Sequence, residues 1–338
     1  MAAGRTAPDA AARVADAGAR LRSALARTIR LTEPVVAEAA TLSEAYRADG
    51  SRTLEDARSA VAYAASRMPA TFAATARTMA AGADRLPGFA PRSLLDVGAG
   101  TGATTWAARA VWPSIRDVTL VEREAAALDL GRRLLDDART TWQAADVGTV
   151  PFGQVDLATA GYVLGELDAA ARRPVVERLW AATRGALVLV EPGSRAGFER
   201  ILEARSALIG AGARIAAPCP GDRACPVAAG PAWCHFLARL DRSPLQKRAK
   251  SAARSWEDEP YAYVVAARPS VVADPRPRVV LGRPRHRPGL VEVRVCADGR
   301  IETVVRSRRD GEAYRIGRDL AWGDVVPSPV IDEDRPEG

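Results

Sequence analysis

LLDVGAGTG, residues 94–102, is an apolar run that stops on an acid and then turns through three glycines at alternate positions. Lacking a Cβ, Gly98, Gly100 and Gly102 let the backbone bend sharply and come close to a ligand, as a strand must where it hands over to a helix above a nucleotide site. Outward from this loop, the short β-rich runs SLLDV, DVTLV, VDLATA and ALVLV alternate with helical segments at 103–112, 124–137 and 169–183. That alternation predicts an α/β fold with a doubly wound parallel sheet, Rossmann-like in organisation. Upstream, Val14, Leu21, Leu25 and Ile29, then Val61, Ala65, Met68 and Phe72, recur at helical spacing, so residues 1–90 are expected to be a helical region. The sheet domain is expected over 91–268, with a periodic helix at 196–210 and a Pro- and Cys-rich insertion at 212–240 that shows no period. The sheet resumes at YAYVVAAR, 261–268. A basic extension, 269–338, follows; Pro269, Pro275, Pro277, Pro284 and Pro288 interrupt it before a hairpin around Asp298-Gly299.

Two further acids sharpen the glycine loop. Glu122 ends the next strand, where a carboxylate can accept both hydroxyls of an adenosyl ribose, and Asp96 directly precedes the loop. Asp146 follows the third strand; its place near an adenine amino group is carried over from the fold, as are those of Ala99, Val147 and Tyr162 beside the cofactor. The G-x-G-x-G spacing differs from the dinucleotide fingerprint G-x-G-x-x-G and resembles the first motif of class I S-adenosylmethionine (SAM) methyltransferases, which favours SAM over NAD. Glycines needed only for tight strand-to-helix packing are the plainer alternative. After the fourth strand the chain reads AGYVLGEL, 160–167, without the Asn/Asp-Pro-Pro-aromatic segment of amine methyltransferases. Tyr162 and Glu166 could line a pocket there, but the catalytic residues stay unknown.

With 338 residues the chain has room for one full α/β domain and smaller additions. Its formal charge of +7 comes almost wholly from arginine, lysine occurring only at 247 and 250, so bulk charge speaks weakly for a polyanionic partner. Local charge speaks more clearly: between Arg268 and Arg318 thirteen arginines face six acids, Asp274 among them. Guanidinium forks suit phosphate oxygens, so Arg283, Arg285 and Arg287 are expected to position RNA without reading its sequence. No run is long and apolar enough for a membrane span, the N-terminus has no secretory core, and Asp9 and Asp16 argue against a transit peptide. We expect a monomeric cytoplasmic protein, or a mitochondrial one in a eukaryote, with no membrane partner.

In a reducing compartment the four cysteines are expected to be ligands, catalytic groups or core residues rather than disulfides. Cys219, Cys225 and Cys234 share one Pro-rich stretch and Cys296 lies far downstream. Two of them precede proline, a feature of ferredoxin loops, and gaps of five and eight residues differ from the short knuckles of structural zinc. An iron–sulfur cluster on four thiolates, a zinc ion and buried core thiols all remain open at this point. A radical-SAM enzyme is disfavoured, since its three-cysteine loop leaves one iron open.

The segments MPATFAA (68–74), LLDVGAGTG, LVEPGSRAGF (189–198), APCP with CP and WCHF, SWEDEPYAYVV (255–265) and SRRDGEAYR (307–315) with WGD resemble the methyltransferase-like family associated with the small ribosomal subunit. Its mitochondrial members act in small-subunit assembly. The resemblance runs from about residue 55 to 325 and implies that Cys219, Cys225, Cys234 and Cys296 match the family's [4Fe–4S] ligands and the Gly98–Gly102 loop its SAM site. Gly221 stands where the family often has a histidine that is not a ligand, and His235 reads as a structural neighbour of Cys234. The implied function is a SAM- and cluster-binding factor acting on small-subunit ribosomal RNA; the alternatives are an active rRNA methyltransferase or a zinc-stabilised methyltransferase of another substrate.

Overall fold

Ala-rich amphipathic segments with caps give ten helices in the described residues of this computed structural model, which are 8–47, 54–219, 221–271, 277–327 and 330. Pro220, Asp274 and Pro275 lie outside them. In the N-terminal region stand α1 (Pro8–Thr28), α2 (Glu33–Arg47), α3 (Ala57–Ser66) and α4 (Met68–Ala83). Asp56 starts α3 by accepting the Ser59 N–H at 2.7 Å, and Pro69 sits in the first turn of α4, where its missing N–H costs nothing. Then strand and helix alternate: β1 (Ser93–Val97), α5 (Ala103–Val111), β2 (Asp117–Glu122), α6 (Ala125–Leu134), β3 (Thr140–Ala144), β4 (Val155–Gly161), α7 (Ala169–Ala182), β5 (Thr183–Pro192) and α8 (Arg195–Gly210).

The sheet continues through β6 (Arg214–Ala217), β7 (Phe236–Asp241), α9 (Pro244–Ala249) and β8 (Trp256–Ala267), in the order β3-β2-β1-β4-β5-β8-β6 with β7 also on β8. β1 to β5 run parallel; β8 is antiparallel to β5, and β6 and β7 are antiparallel to β8. Both faces are covered, which is why β4 and β5 are nearly continuous apolar runs. One face packs on α1 to α5 through residues such as Leu25, Met79 and Leu120; the other packs on α7 and α8 through Leu179, Leu189 and Leu208. Parallel strands with this switch in direction between β1 and β4 make a Rossmann-like class I methyltransferase fold, whose ligands bind beyond the carboxyl ends of the strands.

A second sheet holds β9 (Val279–Val280), β10 (Arg285–Arg287), β11 (Leu290–Ala297) and β12 (Arg300–Ser307), backed by α10 (Glu312–Asp319). Its own small core is Val280, Val291, Val293, Val295, Val326 and Val330. Asp298 and Gly299 form the two-residue turn at φ 39° and 83°, the left-handed pair that matches strand twist. Two expectations need correcting. The insertion is not wholly irregular, because β6 lies inside it and β7 closes it, and β8 begins five residues before YAYVVAAR. Both strands are held by pairing with distant partners, which no local period reveals; Pro260 sits where β8 passes from β7 onto β5.

Candidate functional site

The glycine loop runs from β1 into α5 with Gly98, Gly100 and Gly102 at φ 58°, 54° and 90°. A Cβ on Gly98 would stand 2.3 Å from Val163 Cγ2, so that glycine serves packing. A Cβ on Gly100 would meet only Tyr63 Cε1 at 3.9 Å; above it the backbone faces open space. The glycine is there for the turn and for close approach by something else. Glu122, nearly buried at the end of β2, accepts the Gly100 N–H at 2.8 Å and the Glu124 N–H at 2.9 Å. Its carboxylate therefore ties β2 to the loop. Ala99 is buried and donates its N–H to Val121 at 3.1 Å.

Asp96 is turned beneath the loop. It is 1% exposed and accepts the hydroxyls of Thr105 at 2.8 Å and Thr159 at 2.9 Å, which lock β1, α5 and β4 together. Burial pushes its carboxyl up to about 6 from an ordinary 3.8, against the pull of the two hydroxyls. A carboxyl raised on folding binds its proton more tightly in the native state, so its contribution to stability is full below the unfolded value and is lost as pH rises to about 6. Asp96→Asn removes that titration. Between about pH 4 and about pH 7 the stability difference should move toward the variant by up to about 3 kcal/mol, readable by urea unfolding at both pH values.

Around the mouth, Asp146 is exposed after β3 and accepts the Gly148 N–H at 2.7 Å, with Val147 half-buried beside it. Tyr162 follows β4 at φ 64°, a strained conformation for a bulky residue. Its hydroxyl donates to Glu259 Oε1 at 3.4 Å, and Glu259 in turn takes a two-pronged pair from Arg67 at 2.6 and 3.2 Å. Glu166, in the short turn after β4, keeps an exposed side chain at the mouth, where crowding by surrounding atoms and then the charge of Glu122 push its carboxyl up to about 7. Glu191, wholly buried at the end of β5, accepts from Arg200 at 2.6 Å and from the Leu164 N–H at 2.9 Å. Arg67, Glu191 and Glu259 were not singled out from the sequence. Glu191 and Glu259 lie in two of the quoted family segments and Arg67 borders a third, but their pairing spans up to 192 positions.

The cysteines come together from separate elements: Cys219 after β6, Cys225 and Cys234 on the way to β7, and Cys296 in β11 between Val279 and Ile301. All four are free, half-buried and line one small cavity, together with Arg205 and Phe236. Burial pushes Cys234 well above the ordinary thiol range, and its three fellow cysteines push it further; burial likewise raises Cys219, and Cys296 to about 12. These thiols are protonated unless a cation draws the proton off. Among the described residues no group of three or more His, Cys, Asp or Glu side chains is arranged to hold a metal ion. His235 leans on Trp322 at 4.6 Å between centroids, and Gly221 offers its carbonyl to Arg205 at 2.8 Å.

Arg285 and Arg287 stand exposed on β10, opposite Glu292 and Leu290, with Arg283 exposed just ahead. Arg285 reaches Glu292 at 3.6 Å and Arg283 reaches Asp258 at 3.9 Å, loose pairs that leave most donors to solvent.

Comparison with known proteins agrees on one family. The human ribosome assembly protein METTL17, mitochondrial, is 33% identical over 291 residues, which is 78% of this chain and 62% of that protein. Rsm22-cox11 tandem protein 2, mitochondrial, of Schizosaccharomyces pombe is 26% identical over 290 residues, 69% of this chain and 38% of that protein. The chain thus spans less than two thirds of either relative's length. Among solved structures, magnesium protoporphyrin IX methyltransferase of Synechocystis with bound SAH matches at 13% identity and a TM-score of 0.38, covering 68% of this chain and 94% of that one. The family profile described as mitochondrial small ribosomal subunit Rsm22 matches residues 57–327, a span that takes in the glycine loop, all four cysteines and the arginine strand. By that match the chain belongs to the Rsm22 family.

Proposed function

We propose that this protein is a SAM-binding factor that holds a [4Fe–4S] cluster and acts on small-subunit ribosomal RNA during ribosome assembly, in the cytoplasm or, in a eukaryote, the mitochondrion. The observation that carries the reading is Cys296. It lines the same cavity as the three loop cysteines, so a cluster there would hold the strand next to Arg285 and Arg287 against the methyltransferase fold. Gly98, Ala99, Gly100 and Gly102 would cradle SAM, with Glu122 toward the ribose, Asp146 and Val147 at the rim and Tyr162 beside it. Asp96 would support the loop from below. The cradle fits: Gly100 leaves room, and Glu122 is fixed by backbone donors at its edge. SAM, when bound, supplies an activated methyl group.

In support of the cluster, four soft donors from three separate segments line the cavity and no carboxylate does, although the side chains as they stand are not drawn together around a single metal ion. Four thiolates would close a cluster, which suits a staple between the two sheets better than a reactive centre. Zinc is the alternative occupant, decided by metal and sulfide analysis. An active rRNA methyltransferase is the second reading, for which Glu166 at the mouth, with its raised carboxyl, is the residue to substitute first. A SAM-dependent assay on purified small-subunit particles with product mapping separates the two.

RNA contact is tested by salt. Each phosphate contact should contribute a slope of roughly 0.7 to 0.9 in log affinity against log salt, so changing Arg283, Arg285 and Arg287 together to Ala should flatten the slope by about two to three. SAM affinity should not move. An unchanged slope would mean that another surface meets the RNA.

A further inference from the structure

The cysteine cavity contains one buried charge that the reading above does not use. Arg205, on the inner face of α8, is 6% exposed. Its Nη2 donates to the carbonyls of Gly221 at 2.8 Å and Arg223 at 2.7 Å, so the guanidinium is clamped against the cysteine loop. Its Nε is buried and has no hydrogen-bond partner. Among the described residues no carboxylate forms an ion pair with it, although eighteen other arginines find one. A buried cation with a free donor and no counter-ion is costly, by several kcal/mol in general, unless an anion is meant to sit beside it. The lining of the cavity includes Cys219, Cys225, Cys234 and Cys296 and no acid; the nearby acids Asp222 and Glu302 are paired with Arg214 and Arg278 instead.

We propose that Arg205 is the counter-cation of the cluster, clamped so that its unpartnered Nε–H and its charge face the sulfur-bearing group. This rests on the cluster reading and adds what this chain does to the group's electronics. A cube held by four thiolates is an anion overall and becomes more negative by one charge when it takes up one electron from an external reductant. A fixed cation and a hydrogen bond to sulfur favour the more negative form, so Arg205 raises the midpoint potential.

The test uses the full chain purified without oxygen, with iron and sulfide measured before a redox titration followed by electron paramagnetic resonance. Arg205→Gln keeps a donor and loses the charge; Arg205→Lys keeps the charge and loses the fork. At the wild-type midpoint the reduced-to-oxidised ratio of the Gln variant should fall about tenfold, equivalent to 59 mV for one electron, and that of the Lys variant should change much less. Loss of iron from the Gln variant while the Lys variant keeps it supports the same role for charge. An iron-replete Gln variant with an unchanged midpoint overturns the proposal and leaves the cluster standing, as does equal loss of iron from both variants. Wild-type protein without iron overturns the cluster and the proposal together.

Discussion

Protein carrying Cys234→Ser is expected to lose its iron. Burial raises the Cys234 thiol, and Cys219, Cys225 and Cys296 raise it further; all four line one cavity, so on the proposed reading each is a ligand. Wild-type protein prepared without oxygen should be brown, with about four iron and four sulfide per chain, and the serine variant should be nearly colourless. The loss should also be structural. Without a staple, the cavity is sealed only by packing and by pairs such as Arg223 with Asp298 at 3.1 Å, an exposed contact worth little. Hydrogen exchange should rise over residues 212–240 and along β11 in the variant. Stoichiometric zinc without sulfide in the wild type would contradict the cluster and leave the convergence of the cysteines intact.

Gly100→Leu is expected to abolish SAM binding. A Cβ at this position meets nothing nearer than 3.9 Å, so the added side chain projects into the open cradle rather than into the core, while the left-handed φ of 54° strains any side chain placed there and shifts the loop as well; circular dichroism checks that the fold survives. Gly98 offers no such test, because a side chain there would strike Val163. Glu122→Ala should weaken binding by about 1 to 3 kcal/mol, the range for hydrogen bonds to a charged group. Part of that loss would come through the loop, since Glu122 also holds the Gly100 and Glu124 amides. Calorimetry with SAM and its demethylated product reads both variants. Wild-type protein that binds NADH and not SAM would reverse the cofactor assignment.

The sheet was legible because its strands are buried on both faces and its turns carry glycine: SLLDV, DVTLV, VDLATA and ALVLV each became a strand in place. The hairpin at Asp298-Gly299 was equally plain. What could not be read is what depends on distant partners. β6 has four residues and exists because β8 pairs with it, and the acids of SWEDEPYAYVV stay in β8 because Arg239, Arg242 and Arg67 neutralise Asp258, Glu257 and Glu259. Asp96 illustrates the limit within the site. Its position before the glycines was clear from the sequence, but that Thr105 and Thr159 occupy its oxygens, making it a support beneath the loop, depends on three elements meeting.

Whether this chain works on the small ribosomal subunit is tested most directly by crosslinking in cells followed by sequencing of the recovered RNA. Small-subunit ribosomal RNA should be enriched over large-subunit RNA, and the enrichment should drop when Arg283, Arg285 and Arg287 are all alanine. Recovery of no small-subunit RNA with the wild-type protein would contradict the account.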